Sequence, residues 1–430
     1  MTTANAVPSS RLIVLAVALS SSVVVSCSSG SSGSSSVSAT PAPEPSPVAA
    51  TVTVDFDLTL QAIRGFGGSS AWITSLTPSQ ADSLYGNDGN QQIGLSLLRV
   101  RIDPAGPAAW GTELNNAQQA ASRGANVIGI PWTPPAAMKS NLNTVGGTLA
   151  PASYRDYANY LESFVRYMRA GGVSLYGISM QNEPDASVTY ESCSWTPAQM
   201  DAWVSQNASV LTTRLIMPES QSFNTSYSDP ALADPSAAGR IAIVAGHTYG
   251  GAPFYYTSAE NLGKDVWMTE HYFTDTGITG ALELAKEIHD SLTTASYNAY
   301  LWWWLQDSAA NNYGNGLLDE QNNLTLNGYA MGQFSKFIRP GYVRATATEN
   351  PSAGLYVSAY HGSGHYVIVA LNAGSGAVNL TLQIQNPQVT TLTPYHTTAT
   401  ESLVALSSIG VNGGAATAAL PAKSITTFVQ

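Results

Sequence analysis

The chain has few cysteines and few charged side chains. Its 430 residues include only Cys27 and Cys193, and Cys27 falls in an N-terminal targeting segment described below. If Cys27 is lipidated or removed, Cys193 stays alone, and neither an internal disulfide nor a cysteine-based metal site can form. Asp, Glu, Lys and Arg make up only 10% of the chain, against a usual share of ~25%. The surface therefore depends on uncharged polar residues, which suits a protein outside the cell.

Basic residues are the scarcer of the two charge types. The chain has 17 Lys and Arg against 28 Asp and Glu, which gives a net charge of −11. Nucleic acids and anionic lipids favour basic patches, so this balance argues against both as partners. The apolar share of 44% is large enough for a sizeable core, and the length fits a barrel of about 250 residues plus a smaller module.

Residues 1–27 have the pattern of a signal peptide. The apolar stretch from Leu12 to Leu19 and the short one before Cys27 are too brief and too interrupted to span a membrane. The sequence Val24-Val25-Ser26-Cys27 resembles a bacterial lipobox, in which the cysteine is lipidated, and plain secretion with nearby cleavage is the alternative. We expect a secreted or cell-surface protein that meets a membrane only through an anchor at Cys27. Residues 28–50, rich in Ser, Gly and Pro, predict a flexible tether.

Within residues 51–340, short apolar runs alternate with segments of helical length. The runs are Ile63–Gly68, Leu97–Asp103, Asn126–Trp132, Tyr176–Glu183, Arg214–Pro218, Ile241–His247, Val266–Tyr272 and Ala299–Trp304. The helix candidates include Pro151–Ala170, Thr196–Thr212, Gly280–Leu292 and Leu326–Ile338. Eight buried strands that alternate with helices predict a (β/α)8 TIM barrel. An open doubly wound sheet is the alternative, but no run is followed by a glycine-rich phosphate loop.

The pattern changes after residue 340. Four segments with period-two alternation are separated by Gly, Ser and Asn turns: Leu355–Tyr360, His365–Leu371, Val378–Ile384 and Ser424–Val429. This pattern is typical of antiparallel sheets with one buried face. Residues 341–430 are therefore expected to form a β-sandwich side domain.

Two of the apolar runs end in a glutamate, Glu183 and Glu270. Burying an unpaired carboxylate is costly, and barrel enzymes place catalytic groups at the C-terminal ends of strands. Strands 4 and 7 of a closed barrel lie nearly opposite each other, so the two carboxylates can face each other across the mouth. A pair of carboxylates that flank a bond is the machinery of glycoside hydrolysis. Alternatively, each glutamate caps a loop or pairs with an arginine.

Aromatic and polar residues at other strand ends fit a sugar site. Aromatic faces stack on pyranose rings, while His and Asn donate hydrogen bonds to hydroxyl groups. The candidates at this stage include Trp72, Trp132, His247, Tyr249, Tyr272 and Trp303. At least one of Trp302 to Trp304 is expected in the core. For His247, a purely structural role is the alternative. Arg99, on the second strand, is a candidate to hold a catalytic carboxylate ionised, and a plain barrel salt bridge is the alternative.

Eight short motifs then support a family resemblance over residues 52–430. They are Gly65-Phe-Gly-Gly-Ser-Ser-Ala-Trp72, Pro131-Trp-Thr-Pro-Pro135 with Met138-Lys139, Gln181-Asn-Glu-Pro-Asp185, Ser194-Trp-Thr-Pro197, Gly246-His-Thr-Tyr-Gly250, Trp267-Met-Thr-Glu-His-Tyr272, Trp302-Trp303 and Phe337-Ile-Arg-Pro-Gly-Tyr342. In these motifs the chain resembles glycoside hydrolase family 30, in its xylanase (glucuronoxylanase-like) branch.

The resemblance implies a retaining enzyme that cleaves β-1,4-xylosidic bonds in xylan by double displacement. It implies Glu183 as acid/base, Glu270 as nucleophile and Asn182 as a partner of the sugar 2-hydroxyl, with Trp195 added to the substrate-binding candidates. The first strand, residues 51–60, is expected to join the side domain. The polysaccharide is the expected partner of a monomer that needs no cofactor and no metal.

The chain departs from the branch after Trp304. Glucuronoxylan-specific members carry two arginines there, and the second grips the glucuronate substituent. Here the positions are Gln306 and Asp307, and the following turn is longer, from Ser308 to Gly316. A carboxylate cannot clamp another carboxylate, so we predict hydrolysis that does not depend on glucuronic acid. The longer turn suggests an endo-xylanase with some exo (xylobiohydrolase) character.

Other functions stay open on sequence alone. The same family contains β-1,6-glucanases and β-glucosylceramidases. A non-catalytic cell-surface carbohydrate-binding protein is the alternative outside enzymes, and the presence of Glu183 with Glu270 argues against it.

Overall fold

The computed structural model describes residues 47–307, 314–386 and 388–430. The predicted signal peptide and lipobox, the predicted tether up to residue 46, and residues 308–313 of the long turn lie outside the described residues. Within the described ranges, no helix is both long and apolar enough to cross a bilayer.

Strands and helices alternate along the chain up to Ser335, and strands alone follow among the described residues. The strands are β1 Val48–Ala62, β2 Gly65–Ser69, β3 Leu97–Arg101, β4 Asn126–Ile130, β5 Leu175–Ser179, β6 Arg214–Ser220, β7 Ile241–His247, β8 Asp265–Glu270, β9 Ala299–Trp304, β10 Val343–Ala347, β11 Leu355–Gly362, β12 His365–Asn372, β13 Val378–Ile384, β14 Thr391–Thr397, β15 Val404–Ala405, β16 Ile409–Gly410, β17 Ala415–Leu420 and β18 Ser424–Val429. The α-helices are α1 Pro78–Tyr85, α2 Gly111–Ala121, α3 Tyr154–Ala170, α4 Pro197–Asn207, α5 Asp229–Ala233, α6 Pro235–Ala238, α7 Thr257–Glu260, α8 Ile278–Leu292 and α9 Leu326–Ser335.

Strands β2 to β9 close into a parallel eight-stranded barrel. Closure runs through β2 and β9, where Gly65 pairs with Ala299. Each of the eight apolar runs supplies one barrel strand, so the TIM-barrel prediction is confirmed and the open sheet is excluded. Gly67 shows why the first strand is glycine-rich, because a Cβ there would lie 2.2 Å from the carbonyl oxygen of Leu97.

The outer helices follow local sequence signals. Helices α1 and α4 both begin with a Thr-Pro pair and a capping box, in which Thr77 bonds with Gln80 and Thr196 with Gln199. Helix α3 buries Tyr157, Leu161 and other residues at helical spacing against the barrel. These helices fix the barrel from outside and leave the C-terminal strand ends open.

The remaining strands form one ten-stranded sheet beside the barrel. Strand β1 lies inside it, antiparallel to β10 and parallel to β13, and begins at Val48, which is two residues before the predicted end of the tether at residue 50. Ala416 near one end of the sheet and Leu392 near the other share one apolar cluster. The sheet is therefore folded over on its own core as a β-sandwich side domain.

Three barrel strands carry one extra residue at their C-terminal ends. The pairing register shifts across Glu219 on β6, Thr269 on β8 and Trp303 on β9. Such bulges bend a strand and re-aim its side chains, and they are frequent beside active sites. The bulges therefore help to set the direction of the side chains at the barrel mouth.

Candidate active site

The two glutamates meet at the barrel mouth. Glu270 is the last residue of β8, and Glu183 lies in the loop after β5 with a left-handed φ of 44°. Two backbone hydrogen bonds hold this loop: the amide of Glu183 donates to the carbonyl of Glu219 at 2.9 Å, and that of Asn182 donates to Pro131 at 2.8 Å. The strained backbone of Glu183 is thus fixed by two neighbouring strand ends.

The separation of the two carboxylates decides which chemistry they can perform. One carboxylate oxygen of Glu183 lies within 4.8 Å of one of Glu270, and both side chains are almost fully buried. Retaining glycosidases place the two groups ~5–5.5 Å apart, whereas inverting enzymes leave ~6.5–9.5 Å for a water molecule. The spacing here fits the retaining class.

Arg99 is the central cation beneath this pair. Its guanidinium is fully buried and donates from Nη1 to Glu270 Oε2 at 2.7 Å and from Nη2 to Asn182 Oδ1 at 2.5 Å. Its Cζ lies 4.7 Å from the ring centroid of Trp132. Arg99 therefore connects the nucleophile candidate, the asparagine before Glu183 and the cleft wall.

Glu270 is held between opposing electrostatic effects. Burial raises its pKa above the ordinary value, while the charges of His247 and Arg99 act against that rise. Its second oxygen, Oε1, accepts a hydrogen bond from the hydroxyl of Tyr249 at 3.0 Å. Both oxygens thus have a donor, which favours the ionised form that a nucleophile needs.

Glu183 has a different partner. Its Oε1 lies 3.0 Å from Nδ1 of His247, and Tyr190 Oη lies 3.5 Å from its Oε2. Burial works to lower the pKa of His247, but the charge of Glu270 and the hydrogen bond with Glu183 outweigh it and raise that pKa overall. The raised pKa of His247 therefore favours a proton at its contact with Glu183, beside the group that would deliver it.

The same residues have the spacing of a metal-ligand set. One atom each of Glu183, His247 and Glu270 lies within 4.8 Å of the other two, which a divalent cation would tolerate. Arg99 and Tyr249 already donate to both oxygens of Glu270, however, and a guanidinium beside the set opposes a second cation. These side chains are therefore better placed to bind and transfer protons than to bind a metal ion.

Three tryptophans form one wall of the cleft. The ring centroids of Trp72 and Trp132 are 4.9 Å apart, and those of Trp132 and Trp303 are 6.0 Å apart. Trp72 is 41% exposed, so part of its ring faces the opening. Trp302 is fully buried and donates from Nε1 to the carbonyl of Asn315, which makes it the core member of the triple tryptophan.

The cleft has a cavity volume of about 600 Å³, which is within the range of small-molecule sites. The residues that line it are Trp72, Trp132, Glu183, Tyr190, Gln221, Tyr249, Glu270, Tyr272, Trp303 and Trp304. The structure thus brings most of the predicted site residues together around the paired carboxylates.

Three predicted site residues, Asn182, Trp195 and His247, lie outside the cleft lining. Trp195 is 3% exposed and donates from Nε1 to Gln181 Oε1 at 3.2 Å, so it packs behind the site instead of facing a sugar. His247 is fully buried and contacts Glu183, so its role is to orient a carboxylate. In this structure neither the Trp195 nor the His247 side chain faces the open cleft, and substrate contact by either residue stays a prediction.

Asp307 differs from the sequence-based expectation as well. It is buried, and its Oδ1 accepts a hydrogen bond from the backbone amide of Asn315 at 3.2 Å. Burial raises its pKa, and backbone hydrogen bonds from Gly316 and Asn315 oppose that rise. Asp307 therefore holds the far end of its own loop and does not present a free charge to the cleft.

Sequence reasoning missed Tyr190, Gln221 and Glu219. Glu219 ends the apolar run of β6, so the signal that identified Glu183 and Glu270 was also present there. The predicted run stopped at Pro218, one residue too early. Tyr190 lies in an irregular loop and Gln221 follows a strand end, and neither has a periodic signal.

A closed eight-stranded barrel with two buried carboxylates at its C-terminal mouth fits the class of glycoside hydrolases. No family model matches the chain. Glucuronoxylanase XynC of Bacillus subtilis (strain 168), however, is 37% identical over 385 residues, which cover 86% of this chain and 89% of the relative. The chain belongs to glycoside hydrolase family 30, a family of retaining enzymes.

Two solved structures agree with that assignment. The family 30 subfamily 8 xylanase Xyn30A from Clostridium acetobutylicum is 43% identical, with a TM-score of 0.83 over 88% of this chain and 99% of that one. A family 30 endoxylanase from Clostridium papyrosolvens C71 is 39% identical, with a TM-score of 0.81 over the same shares. Both support the barrel with its side β-domain.

Proposed function

We propose that this chain hydrolyses β-1,4-xylosidic bonds in xylan, with Glu270 as nucleophile and Glu183 as acid/base. The observation that carries the proposal is the buried carboxylate pair, whose oxygens come within 4.8 Å. That close approach fits a retaining pair better than the wider separation of an inverting pair.

The chemistry proceeds in two balanced steps. An oxygen of Glu270 attacks the anomeric carbon while the glycosidic oxygen leaves and takes the proton of Glu183, which gives a glycosyl ester on Glu270. Glu183, now ionised, removes a proton from a water molecule, which attacks the same carbon and releases Glu270. The contact with His247 keeps Glu183 oriented in both steps.

Xylan is the favoured substrate because the relatives with 37–43% identity are xylanases by name. The tryptophan wall offers faces on which pyranose rings stack. Asn182 Oδ1 is taken by Arg99, so the Nδ2 group of Asn182 is the atom assigned to the sugar 2-hydroxyl.

We further propose that glucuronic acid substituents are not required. Gln306 bonds with Gln80 and Asn322, and Asp307 bonds with its own loop, so both positions serve to hold that loop. Among the described residues that line the cleft, none is Lys or Arg. The nearby Arg101 is paired with Asp103 and Glu191. No described cation is therefore placed to grip a carboxylate substituent.

Product analysis tests the substrate assignment. The purified chain is incubated with glucuronoxylan, the same xylan after glucuronate removal, and linear xylo-oligosaccharides, with β-1,6-glucan and an aryl β-glucoside as controls. We expect xylan and the unsubstituted oligomers to be cut at similar rates. A large loss of rate on glucuronate-free xylan would contradict the proposal that glucuronic acid is not required. Cleavage of only the glucan or the glucoside would contradict xylan as the substrate.

Two variants test the catalytic roles. Glu270→Ala is expected to lower kcat by about four to six orders of magnitude. Glu183→Ala is expected to lose activity on xylan but to retain formation of the glycosyl ester from aryl glycosides with good leaving groups, because these need no acid. Normal xylan cleavage by either variant would refute the roles, and a wild-type chain without any hydrolysis would favour a carbohydrate-binding protein.

A further inference from the structure

A third buried carboxylate, Glu219, lies close to the pair. It is fully buried, and neither of its carboxylate oxygens has a hydrogen-bond partner among the described residues. Buried polar groups without partners are uncommon, and an unpaired buried charge is costly. The cation that faces Glu219 is Arg99, whose Nε lies 3.6 Å from Oε1.

The backbone is built to aim Glu219 inward. The residue is the extra one in the β6 bulge and has a left-handed φ of 52°, a conformation that is strained for a non-glycine residue. Its carbonyl also accepts the amide of Glu183. A strained residue at a bulge beside the acid/base is typical of a position kept for function.

Arg99 directs its three nitrogen positions to three different strand ends. Nε faces Glu219 from β6, Nη1 bonds to Glu270 of β8, and Nη2 bonds to Asn182 after β5. The guanidinium is planar and rigid, so a carboxylate on the Nε side fixes how the other two nitrogens point.

We propose that Glu219 is a positioning residue that balances the charge of Arg99 and so holds the catalytic pair in its working protonation state. The inference rests on the proposed retaining hydrolysis. The groups that face one another are Arg99 of β3, Glu183 and Tyr190 after β5, Glu219 of β6, His247 of β7, Tyr249 after β7 and Glu270 of β8. Glu219 thus supplies the charge opposite Arg99, and the proton held at the His247–Glu183 contact faces the charge of Glu270.

The sign of the effect follows from this balance. Glu219→Gln keeps the shape but leaves one positive charge in excess. An excess positive charge favours the loss of protons from the site. The acidic limb of the pH profile of kcat/KM, where Glu270 becomes protonated, therefore moves to lower pH. The alkaline limb, where the acid proton is lost, moves the same way, and we expect each to move by about one pH unit.

The experiment compares three variants by their pH profiles on xylo-oligosaccharides. Glu219→Gln removes the charge, and Glu219→Asp keeps it on a shorter side chain. Glu162→Gln is the matched control, because Glu162 is also a buried carboxylate but lies on α3, paired with Arg166 and Thr212. The limb positions do not depend on how much of a sample is folded.

We expect both limbs of Glu219→Gln to move to lower pH, with the limbs of Glu219→Asp and Glu162→Gln unchanged. Unmoved limbs in a folded Glu219→Gln would overturn the proposal.

If Glu219→Gln yields no folded protein, Glu219→Asp decides the question. We expect its kcat to fall by about tenfold or more with little change in KM, because Arg99 is pulled from Glu270. An unchanged kcat there would also overturn it, whereas an inactive wild-type chain would refute the proposed function itself.

Discussion

At the scale of single residues, the site is governed by how each carboxylate is paired. Glu270 has Arg99 and Tyr249 as donors, whereas Glu183 has His247 and the weaker contact of Tyr190. The two glutamates come from similar sequence contexts, yet their neighbours differ. That asymmetry gives the nucleophile candidate a donor on each oxygen and places the acid/base candidate beside a histidine that can share a proton with it.

The pH dependence of activity reports on the Glu270 environment. Burial raises the pKa of Glu270, so kcat/KM should fall on the acid side at a higher pH than an ordinary glutamate would give. Activity is lost as the pH drops through that pKa, because the protonated carboxyl cannot attack. Initial rates from pH 3 to 9 on xylo-oligosaccharides would measure the limb.

Tyr249→Phe tests whether the hydrogen bond to Glu270 sets the position of this acid limb. The hydroxyl of Tyr249 donates to Glu270 and lowers its pKa, so its removal should move the acid limb to still higher pH, opposite to the shift expected for Glu219→Gln. Tyr256→Phe is a matched control, because its hydroxyl bonds with Ser228 and Asp229 away from the pair. A limb that stays in place in Tyr249→Phe would show that the hydroxyl does not stabilise the anion.

At the scale of elements, bulges and loops decide which side chains reach the cleft. The eight strands could be predicted because each is a short buried apolar run. The bulges at Glu219, Thr269 and Trp303 could not, because they depend on pairing with the neighbouring strand and leave no periodic trace. The family resemblance placed Trp195 among the substrate-binding candidates, and the structure shows its indole bonded to Gln181 outside the cleft lining.

The loop after β9 gives a prediction at this scale. Asp307→Ala removes the acceptor for the backbone amide of Asn315, and an unsatisfied buried group costs about 1–3 kcal/mol. We expect a lower Tm and faster proteolysis near this loop, measured by thermal unfolding and mass spectrometry of fragments. Asp319→Ala is the control, since Asp319 makes the same kind of contact with Asn323 in an exposed setting. Equal effects of both changes would contradict the anchoring role of Asp307.

At the scale of the whole molecule, the side domain and the barrel share chain and contacts. Strand β1 precedes the barrel in sequence but pairs with β10 and β13. Gln333 of α9 donates to Thr397 Oγ1 at 2.8 Å, and Thr427 donates to the carbonyl of Gln333 at 2.7 Å. The side domain therefore covers the outer face of a barrel helix.

Deletion of residues 341–430 should accordingly prevent folding of the barrel. The deletion would expose both edges of β1 and the faces of α8 and α9 that pack on β11 and β18. The matched comparison is residues 47–430 against residues 47–340, by circular dichroism, thermal unfolding and xylan hydrolysis. A soluble and active 47–340 fragment would show that the barrel folds independently.

The sequence by itself determined the barrel, the side domain and the two glutamates, because buried strands and strand-end carboxylates leave local patterns. The family resemblance then assigned their roles. Only the tertiary structure decided the spacing of the carboxylates, the three-way contacts of Arg99, the inward turn of Asp307 and the position of Glu219 against Arg99. Those features depend on strands that are far apart in sequence and on bulges formed between them, which no local pattern records.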